Sequence, residues 1–424
     1  MEIKQMNLNN LPITFIKTPK FKTTLIEIML VGPFTKENAT KRSLLTQLLL
    51  TATKNYPTKK AIAHHLFELY DASIGINSFP SYDTNVTYLS LELINEKYAP
   101  RPSSLLSLGI DFISEMLFNP HVDQKQWNNH DFEEQKRILK ANIENVYNHK
   151  GRYATQKLIQ TMCADEITGV SSLGDLADLE LIDAKSIYDF YQEFINNELA
   201  HIYVVGDLEE EHLCQSLSPL SHLKAGANPF LTAQEQKIIP TAVKKVIEKQ
   251  PLNQAKLVMG FRTLFNHFSP LNIPSIIFNS MFGGNFSSDL VQTIREKHSL
   301  CYSISSDLNP SNKIMLIHAG IDGKNSEQVQ TMVIEILKQY QKGIINEQNF
   351  QIAKDLIISE LNSFDDHPED IVDFYSRNDL INRNITISEL IEKTKAVTLA
   401  QIQEVANGVF LDSVFLLANE EKYD

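Results

Sequence analysis

The strongest constraint on how this chain can fold is that it runs twice through the same order of elements. Near the start, "ITFIKTPKFKTTLIEIMLVGPF" (13–34) reads as two strands forming a hairpin. A leucine-rich helical stretch follows. In "NVTYLSLELI" (85–94), Thr87, Leu89, Leu91 and Leu93 then share one face of a strand. Two helical stretches come next, 103–118 and 132–147, and in the second Phe132, Leu139, Ile143 and Val146 form an apolar stripe at helical spacing. The passage closes on the apolar strand "HIYVVGD" (201–207).

The second passage opens with "VKKVIEKQPLNQAKLVMGFRT" (243–263), the counterpart of the first hairpin. "PSIIFNSMFGG" stands in place of the leucine helix, "SNKIMLIHAGI" (311–321) supplies a strand, and "FQIAKDLIISELNSF" (350–364) parallels 132–147. "SVFLLAN" (413–419) matches the closing strand. The separation between matched stretches drifts along the chain, as in a diverged duplication with insertions. At 424 residues the chain also outgrows a single core. The expected architecture is therefore α+β in two tandem domains, 1–220 and 242–424. The linker is expected at 221–241, which carries Gly226, Pro229 and Pro240 among mixed polar residues.

Charge narrows the partners. Lys plus Arg number 39 against 52 for Asp plus Glu, a net −13, so there is no basic excess to displace counterions from nucleic acid or an anionic membrane. The three cysteines, Cys163, Cys214 and Cys301, form no C-x-x-C pair, which indicates neither a thiolate zinc site nor a disulfide framework. The opening residues lack the basic-then-apolar layout of a signal peptide, and no apolar run reaches bilayer length. A cytoplasmic location is expected.

The stretch "RSLLTQLLLTATKNYPTKKAI" (42–62) has the frame of a metal-bearing helix, yet its polar positions hold Ser43, Thr46 and Gln47. His64, His65 and Glu68 lie nearby, but adjacent histidines point about 100° apart on a helix and cannot share a metal as i, i+4 partners do. His121, His130 and His149 do not fall at ligand spacings.

These residues resemble the pitrilysin/insulinase-type zinc peptidases, whose active helix carries the inverted motif H-x-x-E-H shortly before a "G-T-x-x-Y-P" segment. Here "ATKNYPTKKAIAHHLFEL" (52–69) is similar to that segment. Counting back places the motif on Ser43-Leu44-Leu45-Thr46-Gln47. The family's downstream Glu ligand falls on Asn142 and its supporting acid on Gln135. Zinc needs imidazole or carboxylate ligands, and the general base must take a proton from the metal-bound water; neutral residues do neither. The resemblance thus implies a fold of two mitochondrial-processing-peptidase-like domains in a clamshell, with no metal of its own and no activity alone.

The second half retains more. "MFGGNFSSDLVQTIREKHSLCYSIS" (281–305) resembles the family stretch whose Arg/Tyr pair serves the metal site of the other domain, and that pair maps onto Arg295 and Tyr302. Gly283 and Gly284 are expected to make a tight turn at the substrate, Ser287 or Ser288 to cap the following helix, and Asp289 to favour its first turn. Leu290, Val291 and Ile294 are read as core-facing. A guanidinium and a phenol suit a substrate carbonyl and the oxyanion formed from it. "EITGVSSLGDLADLELID" (166–183) extends the likeness through the first half. Within the family the chain most resembles the YmfF-like partner proteins of Gram-positive bacteria. That likeness implies a zinc-bearing paralogous subunit, or a second copy, as partner, with an extended peptide as shared substrate bound along a sheet edge. The competing reading is a scaffolding protein of the same fold with no part in proteolysis. A stand-alone peptidase with another metal site is the third.

Overall fold

A computed structural model describes residues 1–100, 104–226, 231 and 238–419. In chain order its first elements are β1 (Glu2–Leu8), β2 (Leu11–Lys17), β3 (Thr23–Pro33), α1 (Lys36–Leu49), α2 (Lys59–Glu68), β4 (Ser73–Ser81), β5 (Thr84–Ile94) and α3 (Leu105–Phe118). A small ribbon, β6 (Val122–Asp123) and β7 (Gln126–Trp127), leads to α4 (Asn129–Asn145), α5 (Lys150–Met162), α6 (Leu176–Leu181), α7 (Ala184–Asn197), β8 (Leu199–Gly206) and α8 (Glu210–Ser216). Then come β9 (Lys244–Gln250), β10 (Ala255–Thr263), α9 (Asn272–Asn279), β11 (Cys301–Asn309), β12 (Ile314–Ile321) and α10 (Ser326–Gln341). The chain continues through α11 (Glu347–Asn362), α12 (Pro368–Leu380), α13 (Ile387–Ala396), α14 (Leu399–Asn407) and β13 (Val409–Asn419).

These elements form two units, each discontinuous in sequence. Unit 1 holds Met1–Ile143, Val170–Leu231 and Phe364–Arg383; unit 2 holds Glu144–Gly169, Thr232–Ser363 and Asn384–Asp424. The segment read as the linker, 221–241, contains the Leu231/Thr232 passage between them and lies partly outside the described residues.

Unit 1 is built on a six-stranded sheet in the order β1-β2-β8-β3-β5-β4. The expected 13–34 hairpin does not form, because β8 inserts between its two strands, parallel to β2 and antiparallel to β3. The local hairpin is instead β1–β2, closed by Asn9 and Asn10 at φ 50° and 73°, the left-handed pair that a two-residue turn needs. The central strand β3 is apolar on both faces. Ile26, Ile28 and Leu30 join the core with α1, α3 and α7, whereas Leu25, Met29 and Val31 face α12 with Ile371 and Val372. Glu27 alone interrupts this run with a charge. Tyr203 Oη donates to Asp379 Oδ2 (2.8 Å) and Tyr88 Oη to Ser376 Oγ (3.1 Å), which fixes α12 on the sheet.

Unit 2 repeats the plan with five strands, β9-β13-β10-β12-β11. The pairing senses match those of unit 1: β9 runs parallel to β13, and the other neighbours are antiparallel. As before, the expected 243–263 hairpin is opened by an intervening strand, here β13. On one face α5 packs Ala154, Leu158 and Met162 against Val258, Ile314 and Phe415. Buried Arg262 fastens that helix by binding Glu166, Asp412 (3.1 Å) and the Met162 carbonyl (2.9 Å). The α+β class stands, and the helices read at 103–118 and 132–147 and the strands read at 85–94, 201–207, 311–321 and 413–419 form with shifted ends, α4 closing at Asn145 so that Val146 of the expected stripe lies in the turn beyond it. Ser103 lies outside the described residues.

Candidate functional site

Helix α1 starts at a capping box in which Thr35 and Asn38 satisfy each other's backbone. It buries Leu44, Leu45, Leu48 and Leu49 in the core of unit 1. Ser43, Thr46 and Gln47 lie on its half-buried side. Thr46 Oγ1 donates to the Ser43 carbonyl (3.1 Å), and Gln47 Nε2 donates to the same oxygen (3.3 Å). Two of the three polar groups are thus turned back on their own helix. Gln47 Oε1 is buried without a hydrogen-bond partner. On α4, Gln135 is buried beside Glu134, which Lys59 binds at 3.0 Å, and Asn142 is exposed. This donor set does not fit the zinc that the fold family implies: it has no imidazole and no carboxylate, and the Thr46 hydroxyl and Gln47 amide donate to the backbone of their own helix. Among the described residues, no group of three or more His, Cys, Asp or Glu is arranged to hold a metal.

His64, His65 and His121 make contacts within unit 1. His65 stacks on Tyr56 with centroids 4.5 Å apart, burial lowers its pKa, and His64 lies 3.5 Å from Glu68 on the surface. His121 Nδ1 pairs with Asp131 Oδ2 at 2.8 Å. The three cysteines are free.

Sequence reasoning passed over Arg42, next to the degenerate motif. It is buried, donates through Nε and Nη2 to the Pro33 carbonyl (3.1 and 2.7 Å), and meets Glu198 Oε1 at 2.5 Å. A Cβ on Gly32 would stand 2.2 Å from that carboxylate, so Gly32 leaves the space the pair occupies. Burial raises the Glu198 pKa and Arg42 opposes the rise. Removing one partner strands a buried charge. Arg42→Ala is expected to lower unfolding stability by about 3–5 kcal/mol in urea titration. A loss under about 1 kcal/mol would mean that water already shields Glu198.

The Arg/Tyr segment sits at an edge of the unit 2 sheet. Helix α9 runs on into a π turn, Ser280–Gly284, and a second π-helical stretch spans Val291–Lys297. Gly283 and Gly284 have negative φ, so the expected glycine turn is not formed by left-handed backbone. Gly283 instead allows close packing, since a Cβ there would lie 2.7 Å from Ser306 Oγ on β11. Gly283 is buried and Gly284 exposed. Ser288 stands at the start of the next helix, its Oγ donating to the Asn285 carbonyl (2.6 Å). Leu290, Val291 and Ile294 are buried as expected. Asp289 accepts from Tyr340 Oη (2.5 Å) and Asn349 Nδ2 (3.0 Å), and burial raises its carboxyl pKa. Those partners on α10 and α11 have no signature in the local sequence.

Arg295 is half-exposed, its Nε 3.3 Å from Glu296 Oε1. Its charge bears on Cys301, whose thiol burial pushes up to about 11 while Arg295 pulls it down. Arg295 therefore lies near the start of β11. Tyr302 follows at a register shift between Cys301 and Ser303, and its side chain is 82% exposed. A bulge of this kind re-aims a side chain away from the regular pleat. The two donors of the sequence reading thus flank one strand end, and neither is consumed by the core.

Residues 182–357 match the family model described as the peptidase M16 inactive domain. The chain is 28% identical over 409 residues to a probable inactive metalloprotease, YmfF, of Bacillus subtilis, covering 96% of this chain and 95% of that protein. It is 20% identical to an uncharacterized zinc protease, YmxG, of the same bacterium, over 85% of this chain and 84% of that one. A crystal structure of a conserved protein from Enterococcus faecalis superposes with a TM-score of 0.91 at 27% identity, covering 100% of both chains. The chain is thus similar over its length to M16-type proteins, and the positions of the H-x-x-E-H motif hold Ser43-Leu44-Leu45-Thr46-Gln47.

Proposed function

We propose that this chain is the metal-free subunit of a peptide-handling pair. A zinc-bearing paralogue would hold the metal and the general base. This chain would lend Arg295 and Tyr302 as donors to the carbonyl and oxyanion of the shared substrate, an extended peptide laid along a sheet edge. A cytoplasmic site of action fits the absence, among the described residues, of any helix long and apolar enough to cross a membrane.

The observation that carries the reading is the contrast between the two segments. The ligand and base positions of the metal motif hold only neutral groups, two of them folded back on the helix, whereas Tyr302 stands 82% exposed at an edge strand with Arg295 close by. The occurrence of a probable inactive metalloprotease and an uncharacterized zinc protease in one Bacillus species, both similar to this chain, supports it as well. The test is to purify the chain alone and together with its host's zinc-bearing paralogue, then measure zinc content, complex size and peptide hydrolysis. The reading expects no zinc and no hydrolysis from the chain alone, one zinc per pair, and hydrolysis by the pair. A tightly held zinc in the isolated chain, or full activity of the paralogue alone, would overturn it in favour of independent action or a scaffolding role.

A further inference from the structure

Unit 1 carries a cavity of about 450 Å³ that the degenerate helix does not touch. It lies on the face of the sheet covered by α12, opposite the face on which α1 packs. Its floor follows the strand register. Glu27 on β3 stands opposite Ser90 on β5, and Ser90 stands opposite Gly75 on β4. Along that row the side chains shrink from carboxylate to hydroxyl to hydrogen, so beside the lining residue Ser90 the sheet is low over Gly75, between the lining residues Ser73 and Asn77, toward the sheet edge. β4 is the last strand of the sheet and is paired on one side only.

The lining is acidic. Glu27, Glu92, Glu369 and Asp373 face a single guanidinium, Arg377, which is already bound to Asp373 at 2.6 Å. Glu27 makes no hydrogen bond or ion pair among the described residues. Tyr88 and Phe79 add aromatic surface along one flank. An open trough with excess negative charge and an aromatic wall complements a long apolar stem ending in a cation.

Resting on the reading that extended peptides add to a sheet edge, we infer that this trough is a side-chain subsite that selects arginine or lysine in a segment paired to β4. Strands lie about 4.8 Å apart, so an added strand stands about 14 Å from β3. An arginine directed inward spans roughly half of that distance over Gly75, and Glu27 reaches toward it over Ser90. No side chain at Gly75 blocks the approach. Burial first, and then Asp373 and Glu369, push the Glu27 carboxyl up to about 7. The groups facing it are Glu369, Asp373 and Arg377 on α12, Tyr88 and Glu92 on β5, and Tyr203 on β8. A cation in the trough favours the ionised carboxylate, so the selection strengthens as pH rises from 6 to 8.

Fluorescence anisotropy on the full chain tests this with two fluorescein-labelled nine-residue peptides of alternating serine and valine. One carries a central arginine and the other citrulline, its neutral isostere. At pH 8 the arginine peptide is expected to bind about tenfold tighter or more. That ratio is expected to shrink at pH 6 and to approach unity in both Glu27→Gln and Gly75→Val. Equal binding of the two peptides to the wild-type chain at pH 8 would overturn the subsite while leaving strand addition standing. Failure of both peptides to bind would overturn the subsite and strand addition together. A preference that survives unchanged in Glu27→Gln and Gly75→Val would place selection elsewhere and also overturn the assignment.

Discussion

In the proposed two-subunit assembly, Arg295→Ala is expected to lower kcat for peptide hydrolysis by about 10²–10³-fold with little change in KM, the signature of a donor used mainly in the transition state. Tyr302→Phe, which removes only the hydroxyl, is expected to fall at the lower end of that range. The measurement is steady-state hydrolysis by the reconstituted pair, with each variant checked for an unchanged melting temperature. Stability should hold because Tyr302 is 82% exposed and the ion pair of Arg295 is with its chain neighbour Glu296. Rates within twofold of wild type for both variants would sink the catalytic role and favour a structural one.

The second large effect is a gain. The quadruple variant Ser43→His, Thr46→Glu, Gln47→His and Asn142→Glu is expected to bind one zinc per chain in competition with a chromophoric chelator, and the parent is expected to bind none. The local structure favours the exchange. Thr46 and Gln47 now spend their hydrogen bonds on the Ser43 carbonyl, so replacing them abandons no distant partner. Asn142 is exposed, so a carboxylate there meets no desolvation penalty before the metal arrives. Zinc at a hundredfold over its Kd should then stabilise the variant by about 2.7 kcal/mol and raise its melting temperature. An isotherm identical to the parent's would show that these four positions do not converge. Hydrolysis is a harder demand, because residues behind the ligands must also orient them.

The repeat, the strand faces of 85–94 and the lost metal motif were legible because each is a local pattern of residue types. The two hairpins were misread for a physical reason: periodicity marks strands but does not choose their partners, and β8 reaches β2 from nearly two hundred residues downstream. The "NN" at 9–10 did carry the true hairpin signal, since asparagine tolerates the left-handed backbone that both positions adopt. At the candidate site, Arg295 and Tyr302 were found from the motif. The π turns, the buried anchor at Asp289 and the space that Gly283 leaves for Ser306 were not, because they depend on what packs against them. Glu27 was visible as a lone acid within "TLIEIMLV", yet only the register, which sets it in line with Ser90 and Gly75, gives that acid a possible use.

The discontinuity of unit 1 bears on how the protein is made. Helix α12 covers Ile16, Leu25, Met29, Val31 and Val86 on one sheet face, but it is encoded more than a hundred residues after the rest of the unit. At ordinary rates of protein synthesis this delay is on the order of ten seconds. Throughout that interval the nascent first half carries an uncovered apolar sheet at the ribosome, long enough for a chaperone to bind and for misassembly to compete. A gene cut near its midpoint would make that exposure permanent, so the two halves should be soluble only when synthesised together.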